Sequence, residues 1–198
     1  MKLAATTFLL ALLTVESRNT RSRNNENRDL QMGGQGTPGC YYDVAGCVEA
    51  LGVQQMPPLN TTLMSVLDFM AVNSFSEFAY TMYLSGIASP VFAAHLHCGA
   101  AGTNGPIALP ILPPITANMT MTNVTMDGMG VEATITAEDY DMYMMENGYP
   151  YCKDAAGNNI TVNNLVSLYA AMKMDLVYFN VHTFANPAGE ARGQVFFN

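Results

Sequence analysis

Apolar residues recur with a period of two along much of the chain, the spacing of half-buried β-strands. Phe78, Tyr80, Met82 and Leu84 alternate with Glu77, Ala79, Thr81 and Tyr83, so residues 75–84 read as a strand. The apolar run 63–72 precedes it across Asn73-Ser74, which predicts a hairpin. Val91–Cys98 is a further strand, followed by a Gly/Asn/Pro loop and the short run Ile107–Leu112. Val131-Glu-Ala-Thr-Ile-Thr alternates again. Residues 176–184 and 191–197 form a closing strand pair across Asn186-Pro-Ala-Gly, with Pro and Gly where a type I turn favours them. Two short helices interrupt the strands. Thr136-Ala-Glu-Asp has the order of a capping box, and Leu165, Leu168, Tyr169 and Met172 follow i, i+3, i+4, i+7 spacing with Thr161 as candidate cap. The pattern predicts a mainly β fold: one antiparallel, sandwich-like Greek-key domain carrying one or two short helices.

The first 39 residues lie outside this pattern. Met1-Lys2 and the apolar run 3–15 have the form of a secretory signal, with Val15-Glu16-Ser17 as cleavage region and residues 1–17 as the leader. Residues 18–39 hold only Leu30 and Met32 as sizeable apolar groups, too few to offset chain entropy, and read as a flexible polar tail. Residues 40–198 are then a single domain. No later run reaches 18 apolar residues, so no membrane span and a soluble product after export are expected.

Composition narrows the function classes. Of 198 residues only 12% are charged, against roughly 25% in ordinary globular proteins. A charge-rich disordered chain, a coiled coil and a basic nucleic-acid binder are excluded. Five of the eight basic residues fall in the first 28 positions; from Leu30 onward 13 acids face three bases, a net charge of −10. Phosphate backbones and anionic lipids are repelled by such a domain, and cations or basic partners are favoured.

The cysteines agree with export. Cys40, Cys47, Cys98 and Cys152 permit two disulfides in three connectivities, and none forms a C-x-x-C pair. A local clip Cys40–Cys47 with a long-range staple Cys98–Cys152 is the expected arrangement. Asn60, Asn118, Asn123 and Asn159 each begin a glycosylation sequon.

Candidate chemistry rests on three histidines, in Ala-His95-Leu-His97-Cys and Val-His182-Thr. On a strand, His95 and His97 point to one face. With His182 on a neighbouring strand, three imidazoles make a ligand set for zinc or copper. Structural histidines bridging backbone carbonyls are the competing explanation. The glycine-rich run 99–106 precedes a strand instead of a helix, so it reads as a surface turn, not a phosphate cradle. Met119, Met121, Met126 and Met129 suit core filling more than Cu(I) ligation. Glu138, Asp139 and Asp141 suit a helix start more than a calcium loop. A nucleophile with a recognisable base is absent, so no catalytic residue is assigned.

AHLHCGAAGTNGPIALPIL (residues 94–112) resembles the central signature of the CHRD, or chordin-type, domain, and VYFNVHTFANPAGEARGQVFF (residues 177–197) resembles its closing signature. Val53-Gln-Gln-Met-Pro-Pro-Leu is similar to its opening segment, so the resemblance runs from about residue 53 to 198. It carries over onto His95, His97, Gly99, Asn104, Gly105, Pro106, Asn180, His182, Thr183, Asn186, Pro187, Gly189, Glu190, Arg192 and Gly193. The segment 141–173, with Cys152, departs from the usual pattern. The resemblance implies an extracellular antiparallel β-domain. Growth-factor antagonism does not transfer, because the chain lacks the cysteine-rich repeats that accompany it in chordin. The H-x-H strand also resembles copper/zinc superoxide dismutase, whose dinuclear site needs more than three histidines. The expected protein is a secreted extracellular binding or structural module, with an unidentified extracellular protein or matrix component as partner. The alternative is a mononuclear copper or zinc protein using His95, His97 and His182.

Overall fold

A computed structural model of the chain describes residues 46–116, 124–125, 127–128, 130–154 and 156–197. Alternating segments become strands close to their predicted limits. The hairpin is β2 (Met64–Val72) and β3 (Glu77–Ser85), preceded by β1 (Gly46–Leu51). Its turn is longer than the Asn73-Ser74 pair: a 3-10 turn with positive φ at Asn73, Ser74 and Phe75. β4 (Val91–Cys98) and β5 (Ile107–Leu112) have the predicted bounds, and β6 (Gly130–Thr136) leads into α1 (Ala137–Asn147). After a hairpin of β7 (Tyr151–Lys153) and β8 (Asn159–Thr161) come α2 (Leu165–Lys173), β9 (Val177–Thr183), β10 (Ala191–Gln194) and β11 (Phe196–Phe197).

The main sheet runs β5-β4-β9-β10-β1-β2-β3-β6, with β11 also on β1. Its pairings are antiparallel. β1, β2 and β3 follow one another directly and β10 returns beside β1, giving the order β10-β1-β2-β3. That is the Greek-key arrangement. The two halves of the sheet close on a common core: Tyr80 of β3 donates to the Ile111 carbonyl of β5 at 2.6 Å, and Tyr140 of α1 donates to the Ala108 carbonyl at 3.0 Å. Leu67, Phe69, Phe78, Met82, Leu96, Leu109, Ile111 and Phe179 fill the space between, making a near-barrel sandwich. α2 packs Leu165, Leu168, Tyr169 and Met172 into the same core.

Several expectations are corrected. The cap of α2 is Asn164, whose side chain accepts from Ser167 N; Thr161 is instead spent in β8, opposite Tyr151. The closing run 191–197 is not one strand on β9, because residues 196–197 cross to β1. β1 went unpredicted because its buried side is Gly46, Val48 and Ala50, residues too small to register as an apolar period. The β7–β8 hairpin was missed for its shortness.

The Cys98–Cys152 disulfide is present, and Cys47 is also disulfide-bonded. Cys40, the leader, the tail, Asn118, Asn123, Met119, Met121, Met126 and Met129 lie outside the described residues. Among the described residues no helix is long and apolar enough to cross a membrane.

Candidate metal centre

β4 and β9 are adjacent, and their register sets His95 opposite Asn180, His97 opposite Tyr178 and Ala93 opposite His182. Strand alternation puts these residues on one face, away from the core. The three imidazoles lean together there. Ring centroids are 5.0 Å apart for His95–His182, 5.5 Å for His95–His97 and 6.0 Å for His97–His182. One ring nitrogen from each lies within 4.8 Å of the other two. The convergence that the strand spacing allowed is therefore reached.

Hydrogen bonding decides which nitrogens face inward. His97 Nδ1 contacts the Gly105 carbonyl and His182 Nδ1 the Pro187 carbonyl, both at 3.0 Å. A carbonyl only accepts, so each Nδ1 carries the proton and each Nε2 holds a free lone pair. Those two Nε2 atoms and His95 Nδ1 are buried and make no hydrogen bond. Burying a polar atom without a partner costs roughly 1–3 kcal/mol, and here three such atoms meet. Burial pushes His95 down to about 3, with His182 and His97 adding to the effect. His97 is pushed down to about 4, mainly by burial, against the opposing Gly105 bond. His182 is lowered by burial too, with the Pro187 bond opposing. All three are neutral at physiological pH, the state that binds a metal.

Three points no more than 4.8 Å apart share a centre about 2.8 Å from each, against metal–nitrogen bonds of ~2.0–2.1 Å. Side-chain movements of under ~1 Å close that gap. The orphaned lone pairs, the neutral rings and the carbonyls behind them fit a zinc or copper ion, and those carbonyls are the outer-shell partners that ligating histidines use.

The remaining signature residues hold this arrangement in place. The loop from Gly99 to Pro106 is not a simple surface turn. Arg192 reaches from β10 to grip it through Asn104 Oδ1 at 3.0 Å, the Thr103 carbonyl at 2.6 Å and the Ala100 carbonyl at 3.3 Å. The Pro106 carbonyl accepts from Cys98 N at 2.8 Å. A Cβ on Gly105 would stand 1.6 Å from the Cys98 carbonyl oxygen, so only glycine lets this carbonyl reach His97. On the other side, Glu190 accepts from Thr61, Thr183 and Asn186, tying the Asn186–Glu190 turn to the β1–β2 connection. Glu190 and Arg192 thus pair with neighbours and not with each other. Gly189, at φ +125°, passes Asn180 where a Cβ would meet its side-chain nitrogen at 2.5 Å. Gly193 lies in β10.

Sequence reasoning passed over three residues. Tyr178 lies flat against His97, centroids 5.0 Å apart and planes 9° apart, and its hydroxyl accepts from Gly105 N. Gln55 donates to Asn180, and Thr61 to Glu190. Tyr178 and Gln55 sit inside the quoted signatures, yet nothing local marks them, since their partners are distant in sequence.

Residues 48–195 match the family model of the CHRD domain. The chain belongs to the CHRD family. Both histidine motifs fall within the matched span, and it begins in β1, somewhat before the residue-53 start read from the sequence. Among curated proteins and among solved structures, none matches this CHRD chain.

Proposed function

We propose that this CHRD-domain protein is exported from the cell and holds one copper or zinc ion on His95, His97 and His182. One observation carries the reading: a ring nitrogen of each histidine lies within 4.8 Å of the other two, and each ring holds a buried nitrogen without a hydrogen-bond partner. Among the described residues no group pairs with these nitrogens, whereas a metal ion takes up all three lone pairs at once. Export is supported by the leader pattern, by the Cys98–Cys152 disulfide and by the exposure of the Asn60 and Asn159 sequons. An extracellular binding or structural module without metal is the competing reading, favoured by the bonds that His97 and His182 already make through Nδ1.

Elemental analysis of protein purified without chelator distinguishes them. The expected result is one copper or zinc per chain, lost in His97→Ala and in His182→Ala while the circular dichroism spectrum is retained. Wild-type protein that takes up no stoichiometric metal when offered either ion overturns the metal reading.

A further inference from the structure

The charge around the three histidines is unusual for a cation site. None of the ligands is a carboxylate or a thiolate, so a divalent ion held by three neutral imidazoles keeps its full +2 charge in a buried position. A buried cation packs against the ring that stacks on His97. Arg192 is 3% exposed, and its guanidinium lies 3.5 Å over the ring of Tyr178, which stacks on His97. Its hydrogen-bond partners are Asn104 Oδ1 and the carbonyls of Thr103 and Ala100, all neutral. The nearest buried carboxylate in sequence, Glu190, is engaged with Thr61, Thr183 and Asn186. Glu190 keeps its charge there, yet a +2 ion and the Arg192 guanidinium still repel one another across the Tyr178 and His97 rings, and an added negative charge relieves that repulsion. Three protein ligands also leave one coordination position for an outside group. His95 is part-exposed, whereas His97 and His182 are buried.

We propose that the metal at His95, His97 and His182 takes a small anion as its fourth ligand. This rests on the metal reading above. The anion contributes a lone pair in place of water, no bond within it breaks, and neither partner changes oxidation state. Neutralisation favours the anion over water, and Arg192 adds to its affinity through Tyr178 and the 99–106 loop. The acidity of the rest of the domain draws metal ions in from a distance, whereas the local cation sets what completes their shell.

Azide is the probe, titrated into protein loaded with one equivalent of Cu(II), with perchlorate as the non-coordinating salt control. Azide is expected to produce a saturable azide-to-copper charge-transfer band and a shift in the copper electron paramagnetic resonance spectrum, and perchlorate neither. In Arg192→Gln that still binds copper, azide affinity is expected to fall about tenfold. If that variant fails to fold, the wild-type titration decides. Copper bound at one equivalent with a spectrum indifferent to excess azide overturns the anion proposal alone. Failure to bind copper or zinc at all overturns the metal reading with it.

Discussion

At the scale of single residues, the site depends on groups that present no side-chain chemistry to it. Gly105 offers a carbonyl to His97 and an N–H to Tyr178, so it fixes both a ligand and the ring stacked on that ligand. Gly105→Ala has no room for its Cβ against the Cys98 carbonyl, and the loop must move. Metal affinity is expected to fall roughly 10–100-fold, the usual cost of losing an outer-shell partner; competition against a chromophoric chelator reads it. Glu190 gives the pH dependence. Burial alone would raise its pKa, but the bonds from Thr183, Thr61 and Asn186 outweigh it and hold the carboxyl below its ordinary 4.5. The folded state therefore binds fewer protons than the unfolded one in the window below about pH 4.5. The stabilisation is complete above that window and drains away as pH falls through it. Glu190→Gln should lose ~1.5–3 kcal/mol at neutral pH, as for hydrogen bonds to a charged group, and show a shallower acid limb in urea melts across the pH range.

At the scale of elements, local rules held where the signal was local. Thr136 and Asp139 form the capping box that their spacing announces. The start of α2 required knowledge of the β7–β8 hairpin, because pairing of Thr161 with Tyr151 removes it from capping duty. Asn164→Ala is expected to cost ~1 kcal/mol, with Thr161→Ala leaving the helix intact; thermal melts of the two variants compare them directly. The Cys98–Cys152 link spans 54 residues, and chain-entropy arithmetic assigns such a loop about 4 kcal/mol. Cys152→Ser should lower stability by that order. It also frees the residue that follows His97, so a drop in metal affinity is expected alongside, read by the same chelator competition.

At the scale of the whole molecule, the contrast lies between overall and local charge. The domain from Leu30 onward carries −10, yet Arg192 is buried beside the histidines. Amino-terminal sequencing of protein recovered from the medium of an expressing cell is expected to begin near Ser17; intact Met1 on that protein would overturn the leader assignment. The sequence by itself determined the β-rich class, the hairpin, the first helix and the two histidine motifs that mark the family. Each of these rests on spacing within about ten residues, where periodicity and turn chemistry act directly. Tertiary structure alone decided that β10 lies beside β1, that Arg192 latches the 99–106 loop, and that His182 joins His95 and His97 with their free nitrogens facing one another. The physical reason is that these facts depend on strand register between segments some 90 to 140 residues apart. Register is set by the shared core and by backbone carbonyls such as those of Gly105 and Pro187, and a backbone carbonyl reads the same at every position of a sequence.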